Sequence, residues 1–456
     1  MAASKANMLG SLGKLTELRQ RIFFVIGALV VFRLGSFIPV PGVNPEAMSR
    51  MIEQGGGLLN MFNMFSGGAL ARFSVFALGV VPYISASIVV QMLGSVLPSW
   101  QQLRKEGDGG RRTLTKYTRW GTVGLAAFQS FGVAMALQKQ GEMGGVQVVY
   151  TPGFGFIFAS VVGLTAGTMF LMWLGEQMTE RSIGNGMSMI IFAGIVTRFP
   201  SAIASTAQLV SEGSLNPAVV LLIIALVVLV TWFVVFFESA QRRIPIHHAR
   251  RQQGRRLYAA QTQHLPLKLN MSGVIPPIFA SSIILFPASA VSFFGGAGGA
   301  GGGGGGFLQV LANALSPGQA LYTFLYGALI IFFCFFYTAL VFDSRDTADN
   351  LKKSGAFVPG VRPGLMTGHY IDQVLTRLTV AGALYVTAVC LLPEILVTTW
   401  NIPFSFGGTS LLITVVVVMD FMSQLQAHLM SHQYSGLLEK SKLKTPGRGN
   451  SPARQH

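Results

Sequence analysis

Few residues in the apolar stretches of this chain carry side chains that could do acid–base or metal chemistry. Arg33 and Asp420 are ionisable residues within segments apolar enough to cross a membrane. Such residues can mark proton relays or ion sites, but we favour a structural role for both. His428 and His432 are spaced i, i+4, yet no glutamate lies between them as it does in a zinc-protease motif. We therefore expect no catalytic residue, no metal site and no cofactor.

The composition indicates that membrane-spanning helices hold Arg33 and Asp420. The chain has 456 residues, of which 51% are hydrophobic and 11% are charged, whereas soluble domains carry about 25% charged residues. This composition excludes an ordinary water-soluble enzyme. A membrane-spanning helix needs roughly 20 mostly apolar residues. Ten segments are candidate spans, near residues 22–40, 73–97, 120–137, 156–174, 183–201, 217–237, 273–294, 321–342, 378–396 and 407–428.

The basic residues are distributed unevenly between the connections of these spans. The chain has 33 Lys and Arg against 17 Asp and Glu, a net charge of +16. Of the 33, 28 fall in the two tails and in alternate connections, while only four fall in the opposite set. Cytoplasmic connections carry an excess of Lys and Arg. The pattern therefore predicts a multi-pass membrane protein with both termini in the cytoplasm.

Ten spans with both ends on one side divide naturally into five plus five. An odd number per half means that any structural repeat between the halves is inverted, which favours a channel or transporter. We predict an all-α integral membrane protein of ten transmembrane helices in two inverted halves. The expected parts are a cytoplasmic tail (1–21), an N-terminal half (22–205), a C-terminal half (206–428) with cytoplasmic loops 238–272 and 343–377, and a second tail (429–456).

Several segments have features that a simple bundle of membrane-spanning helices would not need. Residues 58–70 are apolar, but at about 1.5 Å per residue they are too short to cross. A short re-entrant helix fits this segment best, and an interfacial helix is the alternative. Pro82 in span two, Gly184–Gly186 at the start of span five and Pro276–Pro277 in span seven are expected to interrupt helices.

Two connections are more basic than topology requires. Residues 241–261 and 349–364 contain clusters of Arg and Lys. Such loops suit an acidic or nucleic-acid-bearing partner. Contact with anionic membrane lipids is the alternative interpretation.

Strings throughout the chain resemble the SecY family, the pore subunits of bacterial Sec protein translocases. They cover nearly every span and both basic loops, and include FRLGSFIPVPG (32–42), NMFSGGALARF (63–73), VPYISASIVVQML (81–93), LGEQMTERSIGNGMS (174–188), RQQGRRLYAAQ (251–261), HLPLKLNMSGVIPPIFASSIILFP (264–287), ADNLKKSGAFVPGVRPG (348–364) and FGGTSLLI (406–413).

The resemblance implies a channel with a ring of apolar side chains, a plug helix and a lateral gate toward lipid. The ring falls on Val80, Ile84, Met187, Ile191, Ile278 and Ile413. The family usually has isoleucine at most of these positions, so Val80 and Met187 depart from its pattern. The plug, within residues 58–70, includes Asn63, Met64, Phe65, Ser66, Gly67 and Gly68. The gate, formed by spans two and seven with spans three and eight, includes Ser85, Asn185, Ser281, Ser282 and Phe286.

The resemblance also implies partners for the basic loops. They are the motor ATPase SecA and the ribosome, with SecE and SecG completing the complex and signal-bearing secretory and membrane-protein precursors as substrates. The expected contact residues are Arg243, Arg251, Arg255, Arg256, Lys352, Lys353 and Arg362. We expect the chain to conduct unfolded polypeptides across the membrane and to release apolar segments into lipid, without being an enzyme. A small-solute secondary transporter is the alternative, and an intramembrane enzyme would need paired polar groups that the spans lack.

Overall fold

The computed structural model describes most of the chain, with gaps. The described residues are 16–54, 63, 66–139, 142–143, 146–181, 184–213, 217–248, 251–253, 256–258, 262–284, 319–400 and 408–442. The N-terminal half consists of α1 Thr16–Gly35, α2 Pro45–Gln54, α3 Val81–Val96, α4 Pro98–Lys105, α5 Asp108–Lys139, β1 Glu142–Met143, β2 Val146–Gln147, α6 Phe154–Arg181, α7 Gly186–Val196 and α8 Phe199–Ser211.

The C-terminal half is also mostly helical. Its elements are α9 Pro217–Ser239, β3 Gln241–His248, β4 Arg251–Gln253, β5 Arg256–Tyr258, β6 Thr262–Lys268, α10 Ile275–Ile284, α11 Ala320–Val341, α12 Ser344–Lys353, β7 Ala356–Phe357, α13 Leu365–Trp400 and α14 Gly408–Lys442.

Most of the predicted spans are present as helices. Within the described residues, seven helices are long and apolar enough to cross a membrane, or eight if α3 and α4, bent by 103° at Leu97, form one span. The predicted first span corresponds to α1, which carries three arginines. The predicted seventh span corresponds to α10, and residues 285–318, which follow it, are not described. The count of ten stays a prediction.

The helices differ from the predicted spans mainly at their ends. Helix α5 begins 12 residues before the predicted 120, and α14 continues to Lys442, well past the predicted 428. Hydropathy marks only the apolar part of a helix, so polar turns that extend into water escape it. The prediction that Pro82 interrupts span two was wrong. Helix α3 begins at Val81, and Pro82 lies in its first turn, where the missing N–H costs nothing.

One apolar core joins both halves of the molecule. It includes buried residues of α1, α3, α6, α7, α9, α10, α11, α13 and α14. Helix α5 packs between α3 and α6, and α14 packs against α7, α9 and α13. Since α7 belongs to the N-terminal half and α14 to the C-terminal half, their contact brings the two halves together.

The basic loops form a small sheet, which the all-α prediction omitted. Strand β3 pairs antiparallel with β6 and also with β7, so the strand order is β6-β3-β7. Ile244 and Ile246 are buried while Arg243 and Pro245 are exposed. This alternation is the period of a strand with one covered face. Beneath it, a separate apolar cluster contains Ile244, Leu267, Val358 and Ile371.

Candidate functional site

The six predicted ring residues are all buried in the same core cluster. Their exposed fractions lie between 0% and 9%, for Val80, Ile84, Met187, Ile191, Ile278 and Ile413. They come from the start of α3, from α7, from α10 and from α14. Four segments that are distant in sequence thus contribute apolar side chains to one core.

Helical spacing explains why four of the six ring residues form two pairs. Val80 and Ile84 are four residues apart, and the Ile84 N–H donates to the Val80 carbonyl at 3.1 Å. Met187 and Ile191 have the same spacing on α7. Side chains at i and i+4 lie on one face of a helix, so each pair presents two aliphatic groups in one direction.

The start of α7 is held closely against α6. The Asn185 side chain caps α7 by accepting a hydrogen bond from the Met187 N–H at 3.1 Å. The Gly186 N–H donates to Thr179 Oγ1 at 2.9 Å. A Cβ on Gly186 would lie 2.2 Å from the Gly175 carbonyl oxygen, so only glycine permits this approach. The predicted break before span five is therefore a capped and tightly packed helix start.

Met187 also packs against this wall. Its sulfur would lie 2.1 Å from a Cβ placed on Gly175, so the thioether occupies the groove that this glycine leaves on α6. Methionine is flexible and fills irregular gaps. Of the six ring candidates, Met187 therefore has part of its side chain committed to a neighbouring helix.

The described part of the predicted plug is buried and held by its own polar groups. Asn63 Oδ1 accepts from the Ala71 N–H at 3.0 Å, and the Asn63 carbonyl accepts from the Gly68 N–H at 2.9 Å. Ser66 Oγ donates to the same Asn63 carbonyl and accepts from the Leu70 N–H, each at 3.2 Å. Residues 66–70 form turns rather than a helix. Met64 and Phe65 lie outside the described residues.

The predicted plug segment lies against helices α1 and α7. Gly67, at φ +67°, lies so close to Gly194 of α7 that a Cβ on it would be 2.9 Å from the Gly194 Cα. From α1, Arg33 Nη1 donates to the Gly67 carbonyl at 3.2 Å. Sequence reasoning assigned Arg33 a structural role but missed this contact. The available signal was an arginine inside an apolar span.

A polar cavity borders the seated segment. It has a volume of about 580 Å³, and its lining includes Arg33, Arg72 and Arg198. The guanidinium carbons of Arg33 and Arg72 lie 4.6 and 4.1 Å from the centre of the Phe37 ring, at distances typical of cation–π contacts. The apolar packing of the plug therefore ends at a charged space.

The predicted gate serines do not form an extended polar seam in the described residues. Ser281 Oγ donates to the Ile278 carbonyl of its own helix at 2.9 Å. Ser85 Oγ is buried and has no hydrogen-bond partner among the described residues. Ser282 is buried, and Phe286 lies outside the described residues.

One polar contact that the sequence did not indicate joins the two halves. Arg104 of α4 donates from its guanidinium to the Leu340 carbonyl near the end of α11. Helix α4 follows α3 of the N-terminal half, while α11 belongs to the C-terminal half. A basic side chain is favourable at the carbonyl end of a helix.

The two predicted docking loops meet in the three-stranded sheet. His247 and His248 of β3 pair with Phe357 and Ala356 of β7. We call the sheet together with α12 and residues 358–364 the basic platform. Its exposed basic side chains include Arg243, Lys352, Lys353 and Arg362. Arg251 and Arg256 are on strands β4 and β5, whose side chains are not described, and Arg255 lies outside the described residues.

Comparisons with known proteins agree on the family. The family profile named SecY matches residues 74–422. The protein translocase subunit SecY of Escherichia coli (strain K12) is 59% identical over 96% of this chain and 97% of its own length.

Solved structures share the fold. A protein conducting channel superposes with a TM-score of 0.64 at 17% identity, covering 90% of this chain and 92% of its own. Sec61 in the canine ribosome-channel complex from the endoplasmic reticulum has a TM-score of 0.60 at 16% identity, with 90% and 92% covered. By the extent of the sequence matches, this chain belongs to the SecY family.

Proposed function

We propose that this chain is the channel-forming subunit of a protein translocase, through which unfolded polypeptides cross a membrane. Membership of the SecY family supports this function. The observation that carries the mechanism is the convergence of aliphatic residues from four separated segments into one core. The spans carry few ionisable side chains, so we propose a passive conduit whose energy comes from partners.

The closed state is sealed by aliphatic side chains and the plug segment. Aliphatic groups offer an ion no ligand to replace its water, and narrow apolar constrictions gate by dewetting. The seating of Gly67 against Gly194 and the Arg33 hydrogen bond support a plug that rests on the N-terminal half. Displacing the described residues of the plug then requires breaking this hydrogen bond and this close backbone contact.

The lateral gate is the seam between the two halves. Helices α3 and α5 of the N-terminal half lie on one side of it, and α10 and α11 of the C-terminal half lie on the other. Ser85, Asn185, Ser281, Ser282 and Phe286 are proposed to line it. Weak polar groups suit a reversible seam in a membrane. Insertion of a signal sequence at the seam would shift the closed–open equilibrium and allow apolar segments to leave into lipid.

The basic platform is proposed to bind SecA and the ribosome, with SecE and SecG as further subunits. Exposed Arg and Lys side chains pair with carboxylates and phosphates. Support for the ribosome comes from the fold shared with Sec61 in the canine ribosome-channel complex. We place the platform and both termini in the cytoplasm, since 28 of 33 basic residues lie in the corresponding segments. The similarity to bacterial relatives supports the inner membrane as the location of the channel.

Site-specific crosslinking of a stalled secretory precursor tests this function. A photoreactive residue at Ile84, Ile191 or Ile278 should capture the precursor in membrane vesicles. As a matched control, the same residue at Ile224, which is 57% exposed on α9, should capture lipid. Equal capture at both kinds of position, or no capture at the ring, would contradict the channel. Saturable uptake of a small solute without a polypeptide would favour the transporter instead.

A further inference from the structure

The connection between the basic platform and the gate helix α10 contains a buried polar hub. Strand β6 ends at Lys268, and α10 begins at Ile275. Between them, the Leu269 N–H donates to the Ala240 carbonyl at 3.0 Å, which closes the root of the hairpin. Asn270 and Ser272 are each 4% exposed, and Glu238 at the end of α9 is 6% exposed.

The carboxamide of Asn270 organises this hub. Its Nδ2 donates to Glu238 Oε2 and to the Gly273 carbonyl, both at 3.1 Å. Its Oδ1 accepts from Ser272 Oγ at 3.0 Å and from the Gly273 N–H at 3.1 Å. A carboxamide has two N–H donors and two acceptor lone pairs, so all its hydrogen-bonding positions are used. Neither aspartate nor alanine could reproduce this set of bonds.

The hub is also fixed to other helices of the C-terminal half. A Cβ on Gly382 of α13 would lie 2.7 Å from the Leu269 carbonyl oxygen and 3.6 Å from the Asn270 Cα. At the surface, Lys268 Nζ lies 3.6 Å from Asp420 Oδ1 of α14, and both side chains are about half exposed. The chain between platform and gate is therefore held by α9 and α13, whereas an exposed ion pair such as Lys268–Asp420 contributes little.

Buried, fully satisfied polar networks are rigid, and this network lies directly before the first residue of α10. Gly273, at φ +60°, closes the turn that Asn270 organises, and α10 begins two residues later. Ile278 of the predicted ring lies in the first turn of α10, and Ser281 follows it by one turn. A displacement of the hairpin root would therefore reach the start of the gate helix without being absorbed by a flexible linker.

We propose that Asn270 and Glu238 are positioning residues that transmit displacement of the basic platform to the gate helix α10. This inference rests on the proposed function. The two-state element is α10, and the hub biases its position by fixing where the helix starts. Removing the Asn270 amide leaves a buried carboxylate without its partner, so the root loosens and platform and gate move independently.

The experiment measures docking and gate position separately in the assembled complex. The width of the gate is measured by double electron–electron resonance between two nitroxide labels. One label replaces Val89 of α3, which is 52% exposed, and the other replaces Ile283 of α10, which is half-buried. Purified bacterial ribosomes are the docking ligand. In the wild type, docking should widen the gate, which shifts the distances between the labels to larger values. Precursor transport by the same wild-type preparation tests the proposed function independently.

The variants separate transmission from folding. Asn270→Ala and Glu238→Ala should reduce the docking-induced widening at least fivefold, while ribosome affinity stays within twofold of wild type. Glu238→Gln keeps an oxygen that accepts from Asn270 and should restore most of the response. Lys268→Ala removes the exposed ion pair at the same root and should behave as wild type.

Two outcomes overturn the inference. One is an unchanged gate response in Asn270→Ala with normal docking. The other is a loss in Lys268→Ala equal to that in Asn270→Ala. If the alanine variants do not assemble, Gly273→Ala strains the same turn without a clash, since nothing lies within 4 Å of its added Cβ. It should give a partial, two- to threefold reduction, and a wild-type response would then count against the hub.

Discussion

Bulky aliphatic side chains suit a seal that must open for many sequences. Ile191 and Ile278 are 2% and 5% exposed in a core that contains all six ring candidates. Such side chains exclude water by packing, not by specific bonds, so they can part around any passing residue. At this scale the function depends on volume, and glycine is the substitution that removes most of it.

The double substitution Ile191→Gly and Ile278→Gly should raise ion leak through reconstituted bilayers. Removing two buried side chains leaves a cavity in the constriction that water and ions can enter. Single-channel or liposome-flux recording measures the leak. The control Ile224→Gly places the same change on an exposed helix face. Wild-type conductance in the ring variant would show that these residues do not seal the pore.

Gly67 and Gly68 offer a matched pair for testing the plug seat. Both have positive φ, +67° and +84°, but only Gly67 is pressed against Gly194. Alanine costs about 1–2 kcal/mol at either position because of its left-handed backbone, and overpacking adds roughly 1–3 kcal/mol at Gly67 alone. Gly67→Ala should therefore unseat the plug and increase leak about tenfold more than Gly68→Ala. Similar flux through the two variants would argue against this seat.

At the scale of helices and strands, contacts between elements determine how the two halves can separate. Arg104 of α4 reaches the Leu340 carbonyl of α11 across the proposed gate. Arg119 of α5 pairs with Glu176 of α6 at 2.6 Å within the N-terminal half. The first contact must break if the gate opens there, whereas the second can persist.

Arg104→Ala should shift the gate toward its open state. An exposed hydrogen bond contributes about 0.5–1.5 kcal/mol, which corresponds to roughly a two- to tenfold change in the open population. Label distances between α3 and α10 in the isolated complex measure it. Arg119→Ala serves as the control, because its ion pair lies on one side of the seam. A larger opening in the control would contradict the assignment.

Arg362 tests the platform as an element. The substitution Arg362→Glu reverses an exposed charge, so the fold should tolerate it. We expect SecA-dependent translocation to fall several-fold, while insertion of the channel into the membrane stays normal. Both are measured in vesicles by precursor protection and channel abundance. Parallel loss of the two would indicate misfolding, not a docking defect.

At the scale of the whole molecule, the basic residues are concentrated in the tails and in alternate connections between the predicted spans. The net +16 arises mostly from segments assigned to one side. The strands join two of these loops into one platform, so charges far apart in sequence would act together on the proposed partners. Clustered positive charge of this kind speeds and strengthens association with polyanions.

Ribosome binding should therefore weaken steeply with salt. If the platform neutralises about four phosphates, the logarithm of affinity falls with a slope of roughly −3 against the logarithm of salt. Raising salt from about 0.1 M to about 0.3 M should then reduce affinity roughly 30-fold. Sedimentation or fluorescence titration measures this. Arg362→Glu should flatten the slope, and a salt-independent affinity would exclude a phosphate-contacting platform.

The sequence by itself determined the membrane character, the approximate positions of most of the long apolar helices, and the family. Apolar runs and basic connections are local properties, so no tertiary information is needed to recognise them. Ile244 and Ile246 even carried a readable strand period, which the helical interpretation of the chain overlooked. The inverted symmetry of the halves and the count of ten stay predictions.

Only the tertiary structure decided which distant residues touch. It seats Gly67 between Arg33 and Gly194 and joins Asn270 to Glu238, 32 residues earlier. It also places Pro82 in a first helical turn, not a kink. Such contacts depend on packing between elements, and no local pattern records the distance of closest approach. The predicted ring residues could thus be named from the resemblance, whereas the bonds that hold the predicted plug and the start of α10 could not.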